Sequence, residues 1–253
     1  MSILRGALAG PVLAAFAGLA VVAAASPAAR AEAEECAVPP ELTEGDIALP
    51  HLAERVAARQ PLTAVAIGGA STIGQAAGSP DLSYPHRLEQ ALAKDFPNIP
   101  VSVVNKGVPR QSAKQMLERF PSDVFAEDPV LVIWEVGIND AVHGTDVDDF
   151  AQTLQDGVTE IKNRGIDIIL VDMQFSRSSA TVINFEDYLK ALHRVGDLAE
   201  IFVFPRFAMM RYWSEQNVFN FDDVAPQDRA KLAARVYDCL ARNMARMIRR
   251  ALP

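Results

Sequence analysis

The chain has 253 residues, a formal net charge of −8, and half of its residues are hydrophobic. That length suits one sizeable domain or two small ones, and an acidic balance without a basic cluster argues against nucleic-acid binding, which needs cations to neutralise phosphates. The two cysteines and four histidines show no metal-ligand spacing, so neither a metal site nor another cofactor is expected.

The first 31 residues read as an address label. Arg5 is the lone early charge, Ala7 to Ala25 is apolar and Ala-rich, and Ala29-Arg30-Ala31 is a small-x-small site before an acidic segment. This pattern predicts a cleaved secretory signal over 1–31. A transmembrane anchor is the rival reading, because the apolar run nearly reaches membrane-spanning length. Alanine is only weakly hydrophobic, which favours cleavage, and no cysteine stands at the site to carry a lipid. Loss of Arg5 and Arg30 would leave the mature chain two charges more negative. The expectation is an exported protein, periplasmic or secreted, without a stable membrane anchor. It would act on a small-molecule, glycan or lipid ester; the sequence names no protein partner.

Residues 32–62 form a lead-in to a domain expected over 63–253. Cys36 is followed by the extended Pro39-Pro40 pair, and Leu52 to Ala58 can form a short helix. In an exported chain Cys36 and Cys239 suggest one disulfide from the entry segment to the last helix; two buried free thiols are the alternative. Thr63–Ile67 is the first predicted strand. Ser83 can cap a helix lined by Leu88, Leu92 and Phe96. Val101–Val104 is the second strand, and Ser112 can cap a helix with Met116, Leu117 and Phe120 inward. Val130–Trp134 is a continuous apolar run, as in a strand buried on both faces. Asp146 opens a helix with Phe150, Leu154, Val158 and Ile161 at helical spacing, ended by Gly165. Ile166–Val171 is the fourth strand. Phe185, Leu189, Leu192 and Val195 mark another helix, and Ile201–Phe204 the fifth strand. Phe207, Met210 and Trp213 follow as core residues, and Pro226 begins the last helix. This alternation predicts one α/β domain, a three-layer α/β/α sandwich on a five-stranded parallel sheet.

The strand tips carry the informative residues: Gly68 to Gly74 after strand one, Asn105-Lys106-Gly107 after strand two, and Gly137-Ile138-Asn139-Asp140 after strand three. Asp222-Asp223-Val224-Ala225 precedes the last helix. In a parallel sheet the first three loops converge on one crevice and the last can fold over it. Asn139 offers an amide donor, Gly107 lets a backbone N–H approach an oxyanion, and Asp222 could orient an imidazole.

These blocks, in this order, resemble those of the SGNH (GDSL-type) hydrolases. That group carries Gly-Asp-Ser-Leu-Thr-x-Gly after strand one, a glycine after strand two, Gly-x-Asn-Asp after strand three, and Asp-x-x-His before the last helix. The resemblance covers residues 60–250. It implies a flavodoxin-like fold and ester hydrolysis by a serine, a histidine and an aspartate, with Gly107 and Asn139 as oxyanion donors and Asp222 as the acid. Two departures matter. Aligning Gly68, Thr72 and Gly74 with the pattern puts Gly69 at its aspartate and Ala70 at the nucleophile, and Asp222-x-x-Ala225 puts Ala225 at the histidine. A protein with both reacting groups missing and its donors kept would bind without cutting. The competing reading is an active esterase that uses Ser71, one residue late, with a rearranged base. His143 is the one histidine near a strand tip. His51, His86 and His193 read as surface or packing residues, and Asp140, Asp222 and Asp223 lack metal-ligand spacing.

Overall fold

The computed structural model describes residues 35–45, 47–181 and 183–252; the leader expected over 1–31 lies outside the described residues. In chain order the main elements are α1 (Pro50–Ala57), β1 (Leu62–Gly68), α2 (Ala70–Ile73), α3 (Tyr84–Asp95), β2 (Val101–Gly107) and α4 (Ala113–Glu118). Then come β3 (Leu131–Glu135), α5 (Ile138–His143), α6 (Val147–Asn163), β4 (Asp167–Val171) and α7 (Arg177–Ala180). The chain finishes with α8 (Glu186–Ala199), β5 (Phe202–Phe204), α9 (Arg206–Glu215) and α10 (Arg229–Arg250).

The five strands form one parallel sheet in the order β2-β1-β3-β4-β5. The chain winds outward from β1 in both directions, so the order reverses beside β1 and opens a crevice at the carboxyl ends of the strands. Alternate residues of each strand feed two cores. Ala64, Ala66, Leu131, Ile133, Ile169 and Val171 face α3, α9 and α10. Val65, Ile67, Val132, Trp134, Ile168 and Leu170 face α4, α6 and α8. The sheet is thus covered on both sides, which is why β3 and β4 are buried at every residue and are apolar except for Glu135 at the end of β3 and Asp167 at the start of β4.

Local chemistry sets the helix starts. The Ser83 hydroxyl accepts from the His86 N–H, Ser112 and Gln115 form a reciprocal capping box, and Asp146 accepts from the Asp148 and Asp149 N–H groups. Each cap satisfies N–H groups that the first helical turn leaves without partners. The lead-in packs into the main core through Cys36, Leu49 and Leu52. The expected disulfide is present: Cys36 and Cys239 are joined with their Cα atoms 4.8 Å apart. Asn243 reinforces that join by donating to the Cys36 carbonyl at 3.0 Å.

Three short helices were not expected from periodicity: α2, α5 and α7 have four to six residues each, too few to show a helical repeat. Strand β2 also runs longer than expected. Asn105-Lys106-Gly107 continues it in register with Ala66-Ile67-Gly68 of β1 rather than forming a tip loop. The last helix starts at Arg229, after a separate 3₁₀ turn over Pro226–Asp228.

Candidate functional site

The turn from β1 into α2 is built around close approach. A Cβ on Gly68 would lie 2.1 Å from Thr72 Oγ1, and one on Gly107 would lie 2.3 Å from the Ile73 nitrogen. Only glycine lets α2 sit this tightly on the ends of β1 and β2. Ala70, the first residue of α2, is exposed at the apex of that turn. Ser71 is 6 % exposed and turned into the protein. Its hydroxyl donates to Gln174 Oε1 at 3.1 Å and accepts from Arg206 Nη2 at 2.9 Å. None of these partners is an imidazole.

Ser71 thereby joins a buried polar network. Arg206 Nη1 lies 3.1 Å from Glu135 Oε1, with both side chains under 5 % exposed. Thr72 Oγ1 donates to Glu135 Oε2 at 2.9 Å and lies 3.3 Å from the Tyr84 hydroxyl. Arg206 Nη2 also reaches Gln174 Oε1 at 3.3 Å, while its Nε is buried without a partner. Burial pushes the Tyr84 hydroxyl well up, helped by the Glu135 charge, and burial likewise pushes Tyr237 up. Both phenols therefore stay neutral donors. A buried ion pair of this kind is held by geometry rather than by large net stabilisation, because desolvation offsets most of its attraction.

The expected oxyanion residues sit on the near side of the turn. Asn139, in α5, has its amide nitrogen 3.6 Å from the point a Cβ on Gly69 would occupy, so it flanks the apex. It donates to the Gln111 carbonyl at 2.9 Å. The Gly107 N–H donates to Asn105 Oδ1 at 3.0 Å. That hydrogen is committed within the strand, and Gly107 is not an open donor in this arrangement. Asp140 is buried under α4, accepting from the Ala113 N–H at 3.0 Å, and burial raises its carboxyl. It is a fastener, not a ligand.

The loop before the last helix does not hold a histidine. Asp222 accepts from the Arg177 and Ser178 N–H groups at 3.1 and 2.8 Å, capping α7. Hydrogen bonding from Ser178 holds its carboxyl below the usual range. Ala225 is exposed in the same loop, and Asp223 is exposed beside it. No imidazole is paired with Asp222 among the described residues. His143 is exposed at the end of α5 with no bond to Ser71. His86 contacts Gln90 on the surface of α3, and His51 lies at the opposite edge of the sheet. Among the described residues no cluster of three His, Cys, Asp or Glu side chains could hold a metal ion.

Beside the turn lies a crevice of about 450 Å³. It is lined by Gln174 and Arg206, the partners of Ser71, with Tyr237 beside them, and its wall includes Phe175, Met210, Phe221, Val224, Leu232 and Val236. Ser176, Ser178, Ser179 and Asp222 give it a polar rim. Glu135 already neutralises Arg206, so the floor offers hydrogen bonds and no net charge.

The sequence reading missed Glu135, Gln174, Arg206 and Tyr237. Glu135 left one signal, a lone carboxylate ending the apolar run of β3. It also missed a carboxylate–imidazole pair away from the turn. Asp172, buried just past β4, lies 3.1 Å from His193 Nε2 and accepts from the Phe207 N–H at 2.7 Å. The hydrogen bond to Asp172 pushes the His193 imidazole up, and burial raises Asp172. No hydroxyl is bonded to that imidazole among the described residues.

A parallel sheet of this order, with the chain's four blocks at its carboxyl edge, defines an SGNH-type hydrolase fold. The chain belongs to the non-GDSL lipase-like family, whose profile matches residues 35–253. No curated protein matches the sequence. Among solved structures, it is similar to a protein described as lipolytic and of the G-D-S-L family from Desulfitobacterium hafniense DCB-2, at 22% identity and a TM-score of 0.57, over 73% of this chain and 98% of that one. It is also similar to Axe2, an acetyl xylan esterase from Geobacillus stearothermophilus, at 20% identity and a TM-score of 0.61, over 75% of this chain and 96% of that one. A two-domain esterase active on acetylated mannans (CEX) aligns at 18% identity and a TM-score of 0.66, over 81% of this chain and 55% of that longer chain. At these identities the likeness is one of fold.

Proposed function

We propose that this is an exported SGNH-fold protein that binds an ester ligand, an acylated glycan or lipid, without hydrolysing it. The observation that carries the reading is the turn after β1. A methyl group, Ala70, stands at its exposed apex, and the neighbouring hydroxyl, Ser71, is saturated by Gln174 and Arg206. A serine becomes a nucleophile when a base takes its proton. Here the hydroxyl proton points at a neutral amide oxygen and a guanidinium caps the lone pair, which lowers nucleophilicity. Loss of serine or histidine from a working triad costs on the order of 10⁶ in kcat. Ala70 and Ala225 would impose both losses.

The crevice supports retention of binding. Its wall is apolar, its floor is uncharged overall and its rim is hydroxyl-rich, a combination suited to an acyl group attached to a polyol. The disulfide suits an oxidising compartment, and no helix among the described residues is long and apolar enough to cross a membrane. The expected signal and an exported location fit both.

The test is hydrolysis of p-nitrophenyl acetate by the purified protein and its Ser71→Ala variant. The expected result is the same background rate for both. Turnover abolished by Ser71→Ala would instead establish the rival reading, an esterase that uses Ser71 with a base yet to be found.

A further inference from the structure

A second cavity lies far from the crevice. It measures about 660 Å³ and lies under α1 at the amino-terminal edge of the sheet, before β1, β3 and β4 begin. We propose that this cavity is a second binding site, and that its ligand is a neutral saccharide chain. The two sites sit at opposite ends of the strands, roughly 20 Å apart for strands of this length. The proposal therefore does not depend on what the crevice does.

The polar lining comes from four separate segments. His51, Glu54 and Arg55 project from α1, Gln60 precedes β1, Asp128 precedes β3 and Arg164 ends α6. Among the described residues the side chains of His51, Glu54, Arg55, Gln60 and Asp128 make no hydrogen bond or ion pair with one another or with other side chains. Arg164 is the ordered member. Its guanidinium carbon lies 3.9 Å from the centre of the Phe125 ring, and it keeps only a 3.4 Å contact with Glu160. Stacking on the ring fixes the plane of the guanidinium and leaves its N–H edge to donate.

The sign of the lining selects the ligand. Two guanidiniums face two carboxylates, so an anion would meet Glu54 and Asp128, and a cation would meet Arg55 and Arg164. Either would be desolvated against a like charge. Hydroxyl groups, each both donor and acceptor, can use every one of these planar side chains. The non-polar part of the lining is small: Ala58 is exposed, Pro129 and Val130 are buried beneath the polar groups, and the half-buried Phe125 ring carries the Arg164 guanidinium on one face, so recognition here runs through hydrogen bonds to hydroxyls. The volume falls in the range of ligand sites, about 300–1,000 Å³, and far exceeds what a single amino acid would fill.

The site is held open by the fold. Asp167 Oδ2 accepts from the Leu52 N–H at 2.8 Å, tying the start of α1 to the base of β4. Gly165, at φ +69°, leaves room for the His51 ring, whose Cε1 lies 3.7 Å from the point a Cβ there would take. Any side chain at Gly165 would be both strained and in contact with that ring.

The experiment is an amide NMR titration of the whole chain with xylopentaose, mannopentaose and cellopentaose. Glutamine serves as a zwitterion control and trigalacturonate as an anionic one. The expected result is shift changes over residues 51–60, 128–130 and 164–166 with at least one neutral pentasaccharide at millimolar concentration. The Arg55→Ala, Gln60→Ala double variant, both positions being outside the core, should weaken that binding about tenfold or more. Three results would overturn the proposal. They are no response to any pentasaccharide, a response confined to crevice residues 174–179 and 221–236, or a response at this cavity to glutamine or trigalacturonate alone. The wild-type map decides the matter even if the double variant does not fold.

Discussion

Replacing Arg206 with methionine tests whether the network around Ser71 is a single coupled unit. Among the described residues Arg206 is the cation that pairs with Glu135, at 3.1 Å, and it also holds Ser71 and Gln174. Methionine keeps the length of the side chain but leaves the Glu135 carboxylate facing neutral hydroxyls, Thr72 and beyond it Tyr84. Stranding a buried charge in this way costs about 3–5 kcal/mol, which for a domain of this size lowers Tm by on the order of 6–20 °C. The Glu135→Gln, Arg206→Met double variant removes the stranded charge, so its loss should be smaller than the sum of the two single losses. The difference is the coupling energy of the pair. Urea unfolding of the four proteins of the cycle, followed by circular dichroism, measures it. Additive losses, or a single Arg206→Met loss below about 1 kcal/mol, would show that water reaches Glu135. The account of Ser71 as a saturated hydroxyl would then lose its basis.

Other outcomes follow from the same geometry. Cys36→Ala with Cys239→Ala should cost about 2–5 kcal/mol, since the bond closes a long loop of the unfolded chain; urea melts with and without reductant check this. Gly68→Ala should cost about 1–3 kcal/mol through the collision with Thr72 Oγ1 and Glu135, read as a lowered Tm. The raised His193 imidazole should stabilise the fold fully below its unfolded pKa and lose that contribution as pH rises through the folded value. The stability gap between wild type and His193→Gln should therefore be wide in mild acid and narrow in mild alkali. A gap that widens with pH would reverse the assignment. A crevice ligand at 100 times its Kd should raise stability by about 2.7 kcal/mol. Phe221→Ala should reduce that gain in a thermal-shift titration with an acetylated xylooligosaccharide.

The fold was legible because its signals are local and repeated. Val130–Trp134 is apolar at every position because both faces of β3 are covered, and Ser83, Ser112 and Asp146 stand where three helices need acceptors. The disulfide was legible from the cysteine count taken with the expected export, which favoured a bond over two free thiols. The site was legible only to the level of its backbone. That Ala70 faces out and Ser71 faces in depends on the angle at which α2 leaves β1, and two glycines set this angle through contacts with β2 and β3. Ser71 and Arg206 meet across 135 residues, and no spacing rule links them. The engagement of the Gly107 N–H was hidden for a similar reason: Asn105, two residues back in the same strand, folds over and takes its hydrogen. The pair of Asp172 and His193 was hidden because a helical histidine gives no sign of what lies beneath it.

The sulfur bridge between residues 36 and 239 has a consequence for how the molecule ages under proteolysis. A protease that nicks any exposed loop between those two positions, the one holding Asp222 and Asp223 included, creates two pieces that stay covalently joined. The parallel sheet continues to hold both pieces in place. A cleaved molecule would therefore migrate as one species on a non-reducing gel and as two once thiol is added. Its crevice could outlast damage that would scatter an unbridged relative.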